Sequence, residues 1–148
     1  MAHEYTATVR WASDGDFAKG RYSRAHTWEF DGGAVVPGSA SPLSVPLPYS
    51  DASAVDPEEA FVAAASSCHM LWFLDLAKRA GFVLASYTDT AVARMEGDPN
   101  PWITRVDLFP RMEWVGTAPS AEALAELHHA AHEKCFIANS IKSEVVVN

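Results

Sequence analysis

The chain has 148 residues, 49% of them apolar and 20% charged, with a formal net charge of -8. This is globular usage, long enough to bury a core, and it excludes a disordered chain. The acidic balance argues against a nucleic-acid or anionic-membrane partner, either of which needs a basic face. The most apolar segment carries His69 and Asp75, so no membrane span is expected. "MAHEYTATVRW" lacks a basic stretch followed by an apolar core, so no signal peptide is expected and a cytoplasmic protein is. In that reducing compartment the two cysteines, Cys68 and Cys135, read as buried small residues, metal ligands or a redox pair rather than a structural disulfide.

In chain order, "EYTATVRW" alternates polar and apolar residues and predicts a strand, followed by the turn-rich "SDGDFAKG". "RYSRAHTWEF" alternates again, up to the "DGG" that ends it. "VVPGSASPLSVPLPYSDASAV" holds four prolines and no helical period, and predicts an extended loop. Asp56 then suits a helix N-cap, Pro57 its first position and Glu59 the third position of a capping box. Phe61, Ala65, Cys68 and Trp72 recur as one helical stripe, and Gly81 fits the C-terminal cap. "SYTDTAVARM" and "WITRVDLFPRMEW" predict strands around the turn "EGDPNP". Ser120 opens a second helix through "AEALAELHHAAHEKC", and "SEVVV" closes the chain as a strand. The order predicts one α+β domain over residues 1–148, an antiparallel sheet backed by two helices. The long helix is apolar nearly all round, which a monomer of this size can hardly cover, so a homodimer with that helix at its centre is expected.

Several residues could carry chemistry. A nucleophilic Cys68 at mid-helix gains nothing from the helix dipole, which acts within the first turn, and needs a nearby cation to favour thiolate. The alternative is a buried small residue, the common fate of free cysteine. Leu124, Leu127, Ala131 and Cys135 form a stripe that puts the second thiol on a buried face, where it could meet Cys68. His128, His132 and Cys135, at i, i+4 and i+7, have a spacing able to hold zinc, with Cys68 or His69 completing the ligands. Those histidines could equally be solvated beside Glu126 and Glu133. A non-catalytic dimeric module binding an apolar ligand is a further reading. Arg24, in the strand-like "YSRAHTW", shares a strand face with Tyr22, His26 and Trp28, either as a stacked surface residue or as the cation a thiolate needs.

"DPEEAFVAAASSCH", with Pro57-Glu58 upstream of a first cysteine and a second cysteine near the C-terminus, resembles the OsmC/Ohr family of thiol peroxidases. The resemblance runs over essentially the whole chain in the order of its elements. It implies an α+β fold in an intertwined homodimer that reduces organic hydroperoxides without a bound cofactor or metal. It further implies Cys68 as the peroxidatic cysteine, Cys135 as the resolving cysteine and Glu58 as the active-site glutamate. For the family's arginine, "GR" points to Arg21 and "YSRAH" to Arg24, with Arg24 preferred. Arg24 would hold the Cys68 thiolate, Glu58 would position Arg24, and an external dithiol would reduce the resulting disulfide. The chain departs from the family in Phe136, where proline commonly follows the second cysteine, and in His69 directly after the first. Ten helical residues between Glu58 and Cys68 make a rise of about 15 Å. "AFVAAASS" contains no residue that breaks a helix, so the expectation is that a partner subunit supplies Glu58, together with Arg24.

Overall fold

Alternating polar and apolar residues build the first two strands of the computed structural model, which describes residues 1–148. β1 (Ala7–Arg10), β2 (His26–Phe30) and β3 (Val35–Gly38) form a sheet in that order, each pair antiparallel. The strand β3 corrects the expectation of a loop from Val35 onward, and its Pro37 is tolerated because β3 is an edge of the sheet. β2 starts only at His26, so Arg24 lies in irregular chain rather than in a strand, its backbone N–H held by the carbonyl of Tyr49 at 2.9 Å. Gly38 is required where it stands: a Cβ there would lie 2.6 Å from Trp28 Nε1 and 2.7 Å from His26 Nε2. These strands belong to a compact unit over Met1–Ala60.

The helix α1 (Pro57–Arg79) opens on the expected capping box. The Glu59 N–H donates to Asp56 Oδ1 at 2.8 Å, and the Asp56 N–H donates to Glu59 Oε2 at 3.2 Å. Gly81 at φ 86° ends it: its N–H reaches the carbonyl of Lys78, and the Phe82 N–H that of Ala77, the paired closure of a helix in left-handed backbone. The helix is unbroken throughout. Its buried stripe is Ala65, His69, Phe73 and Ala77, not the expected Phe61, Ala65, Cys68 and Trp72. By length and composition α1 could cross a membrane, against the sequence expectation. Its buried stripe is nevertheless that of a core helix.

Phe61–Asn148 make the second unit. β4 (Val83–Asp89) pairs antiparallel with β7 (Pro110–Val115), and β5 (Val92–Glu96) with β6 (Trp102–Leu108). Each of the two long strands expected from sequence is therefore broken in two, the second at Phe109, whose N–H donates to Asp89 Oδ1 at 2.7 Å. β8 (Glu144–Val147) runs parallel to β6, a departure from an all-antiparallel sheet. The helix α2 (Ala121–Lys134) is capped by Ser120, whose Oγ accepts from the Ala123 N–H at 3.1 Å. Two apolar clusters form the core of this unit. One gathers Phe61 and Ile103 around Ala65, Val106 and Leu108; the other gathers Trp72, Tyr87, Trp114 and Leu127 around Phe73, Ala77 and Ala131. The fold is α+β, with two helices and antiparallel pairings as expected.

Candidate functional site

Cys68 sits on α1 and Cys135 just past the end of α2, both as free thiols. Cys68 is half-buried and Cys135 is 2% exposed. The Cys135 residue caps α2 in extended backbone (φ -64°, ψ 112°), which turns its side chain out of the helical path. Its sulfur accepts from the Ala138 N–H at 3.4 Å, and the Cys68 thiol is its close neighbour. Burial pushes the Cys135 thiol above its ordinary value. The Ala138 N–H opposes that shift and the neighbouring Cys68 adds to it. The chain thus brings its two thiols into contact inside one unit. Beside them, Trp72 meets Phe136 edge-on with ring centroids 5.4 Å apart, and Lys134 Nζ lies 5.5 Å over the Trp72 ring.

Sequence reasoning offered His69 and His128 as metal ligands only, and missed that they pair with each other beside the two thiols. His69 and His128 are 1% and 8% exposed, and His69 Nε2 and His128 Nδ1 stand 3.0 Å apart. The signal was present in the sequence: His69 falls four residues from both Ala65 and Phe73, on the buried stripe. Desolvation pushes His69 down to about 4, helped by His128 and His132 and opposed by Asp89; burial lowers His128 as well. Both imidazoles are therefore neutral at pH 7. Tyr87 is also held above its ordinary value, chiefly by burial. No three of the chain's His, Cys, Asp and Glu side chains are grouped so as to hold a metal ion, so the spacing of His128, His132 and Cys135 does not become a ligand set.

Arg24 and Glu58 lie in the first unit. Arg24 Nη1 donates to the carbonyls of Tyr22 at 2.7 Å and Gly20 at 3.3 Å, and its guanidinium stacks on the Tyr22 ring at 3.7 Å. Its neighbours explain its place. Trp28 Nε1–H can only donate, so His26 Nε2, 2.8 Å away, is the acceptor. His26 Nδ1 then carries the proton and donates to the Arg24 carbonyl at 2.7 Å. A cavity of about 370 Å³ opens here, lined by Trp11, Phe17, Tyr22, Arg24 and His26 among others. Arg24 faces this cavity, whereas Arg21 is exposed and bridges Asp16 through its backbone. Glu58 is half-buried in the first turn of α1.

Residues 50–148 match the family model described as OsmC-like protein. An OsmC-like protein of unknown function from Vibrio cholerae has a solved structure 47% identical to this chain, covering 99% of each, with a TM-score of 0.95. The chain belongs to the OsmC-like family. More distant structures share its fold. An organic hydroperoxide resistance protein from Elizabethkingia anophelis, with thiocyanate bound, is 18% identical over 99% of this chain and 95% of that one, at a TM-score of 0.68. Another from Legionella pneumophila is 19% identical over 99% and 96%, at 0.64. No curated protein matches the chain.

Proposed function

We propose that the protein is a cysteine-based peroxidase acting on organic hydroperoxides. The observation that carries this reading is the contact between two free thiols, one half-buried and one buried, in an apolar setting. The names of the related hydroperoxide resistance proteins support it. In the first step the Cys68 thiolate attacks the hydroperoxide's terminal oxygen. The O–O bond breaks, an alcohol leaves once its oxygen is protonated, and Cys68 becomes a sulfenic acid. In the second, Cys135 sulfur attacks Cys68 sulfur. The hydroxyl departs as water with the proton that Cys135 gives up, leaving a disulfide. An external dithiol then reduces that disulfide by exchange, as a reducing cytoplasm would allow. Apolar walls such as Trp72 favour an alkyl or aryl peroxide over hydrogen peroxide. The cycle needs no cofactor.

The working form is a homodimer in which Arg24 and Glu58 of one chain complete the thiol site of the other. Arg24 supports the thiolate and Glu58 positions Arg24. The unbroken α1 and the exposed apolar side chains Leu71 (59%), Val9 (66%) and Phe17 (59%) support a covered interface.

Mass spectrometry of thiols after addition of cumene hydroperoxide tests the cycle. Cys68→Ser should consume none, and Cys135→Ser should complete one turnover and hold a sulfenic acid on Cys68. Equal loss of the first turnover in both variants would overturn the role assignment. Mixing inactive Cys68→Ser with inactive Glu58→Ala should restore activity after subunit exchange. Proven heterodimers that stay inactive would rule out shared sites.

A further inference from the structure

Two polar pairs join α1 to α2, and they are neighbours in sequence on α1: Cys68 with Cys135, and His69 with His128. The imidazole planes are within 8° of parallel, with centroids 5.3 Å apart. The His128 ring also stacks on Phe73 at 4.3 Å, so the pair is set into the apolar cluster around Phe73, Ala77 and Ala131. His128 lies in the body of α2, and Cys135 follows directly on Lys134, the last residue of that helix, so the seat of α2 sets where the second thiol falls. Around the imidazoles stand His132 on α2 and Asp89 at the end of β4, which accepts from Ser66 of α1.

A buried polar group left without its partner costs far more than a satisfied pair gains. Sliding or rotating α2 along α1 by a single residue would strand two imidazoles in an apolar wall. Apolar contacts such as Ala77 with Ala131 impose no such penalty, because one methyl replaces another at little cost. The histidine pair is therefore what fixes the register of α2, and with it the place of the thiol at its end. We infer that His69 and His128 are positioning residues that hold Cys135 against Cys68 for disulfide closure. Neither touches the reacting sulfur atoms. At pH 7 both are neutral, so one ring can donate and the other accept. His69 Nδ1 has no partner of its own, which leaves the bond to His128 as the one that orients the ring.

The inference deepens the proposed thiol cycle but can be read without peroxide. Dipyridyl disulfide reacts in two steps. Cys68 thiolate attacks it and releases one pyridinethione, leaving a mixed disulfide. Cys135 sulfur then attacks Cys68 sulfur, gives up its proton, and releases the second. Stopped-flow absorbance separates the two phases. His128→Leu should leave the first phase within about twofold of wild type and slow the second by about tenfold or more, since small misplacements of reacting atoms are costly. His128→Asn, which puts an amide where Nδ1 stands, should recover most of that loss. A folded His128→Leu whose second phase runs at the wild-type rate overturns the inference, as does an Asn variant no faster than Leu. If His128→Leu does not fold, His69→Phe decides by the same second phase. Wild-type protein that closes with the reagent yet loses no thiol to cumene hydroperoxide ends the peroxidase reading and leaves the positioning role standing.

Discussion

The two units of the chain use their apolar residues in opposite ways. In the second, Phe73, Ala77, Val106, Leu108 and Ala131 are fully enclosed, and strands and helices close over two clusters. In the first, every residue of β1 is exposed, and Val9, Trp11, Phe17 and Val35 face outward. What it buries is polar: Ser39 and Ser50, with the Asp51 N–H donating to Ser39 Oγ at 2.9 Å and Ser50 Oγ donating to the Val45 carbonyl. The second unit carries its own core. The first is ordered by hydrogen bonds and by the aromatic contacts of Trp11, Phe17 and Tyr22, and it leaves a surface suited to another apolar surface.

The largest expected effect tests that contrast. Phe73→Ala should cost about 3–5 kcal/mol in urea unfolding, independent of protein concentration, because it empties a filled core site. Phe17→Ala should change monomer stability by no more than about 0.5 kcal/mol. It should weaken self-association in sedimentation instead. A concentration-independent loss in Phe17→Ala as large as that of Phe73→Ala would erase the distinction between the units.

The next effect is an acid dependence confined to the second unit. The folded chain holds His69 neutral down to about 4, whereas an unperturbed histidine titrates at 6.5. Between those values the unfolded chain binds more protons than the folded one, so stability rises with pH there. The contribution is complete above pH 6.5 and is lost as pH falls towards 4, amounting to roughly 3 kcal/mol. Unfolding midpoints measured at steps through that window should fall in wild type and much less in His69→Phe. A wild-type profile flat from pH 7 to 4.5 would show that His69 is not held neutral by burial.

Most of this layout was legible in the sequence, for reasons that differ between residues. The start of α1 was plain because Asp56, Pro57 and Glu59 act through local hydrogen bonds that spacing alone reveals. The end at Gly81 was plain for the same reason. The stripe on α1 was misjudged by one position, since a helix apolar nearly all round carries no contrast to say which face the sheet covers. His69 lay on the covered face and looked like an interruption. The break between β4 and β5 was hidden because "SYTDTAVARM" has strand residues throughout, and the kink is made by a tertiary contact, Asp89 accepting from the Phe109 N–H. The parallel seat of β8 on β6 depends on long-range topology that no local pattern encodes. The meeting of Cys68 with Cys135 followed from the family resemblance, whereas the helical stripes alone left it open, since Cys68 lies one position off the covered stripe and Cys135 just past the end of α2.

The smallest expected effect compares the two helix starts. α1 begins on a charged, reciprocal cap: Asp56 accepts from Glu59 and Glu59 returns a bond to Asp56. α2 begins on a single bond, Ser120 Oγ accepting from Ala123. Replacing Asp56 by Ala removes one bond directly and leaves the returning Glu59 carboxylate with less reason to fold back. The cost should be about 1–2 kcal/mol, against about 0.5–1 kcal/mol for Ser120→Ala. Asp56 is also buried, so the N–H groups of the first turn have little water to fall back on once its carboxylate is gone. Asp56→Asn separates bond from charge. Its amide oxygen can still accept from the Glu59 N–H, and it loses only the attraction between a negative charge and the helix N-terminus, a few tenths of a kcal/mol up to about 1. Urea unfolding should therefore rank wild type, Asp56→Asn and Asp56→Ala in falling order of stability, with the Asn variant nearer to wild type. An Asn variant as unstable as the Ala variant would mean that charge, and not the hydrogen bond, sets where α1 begins.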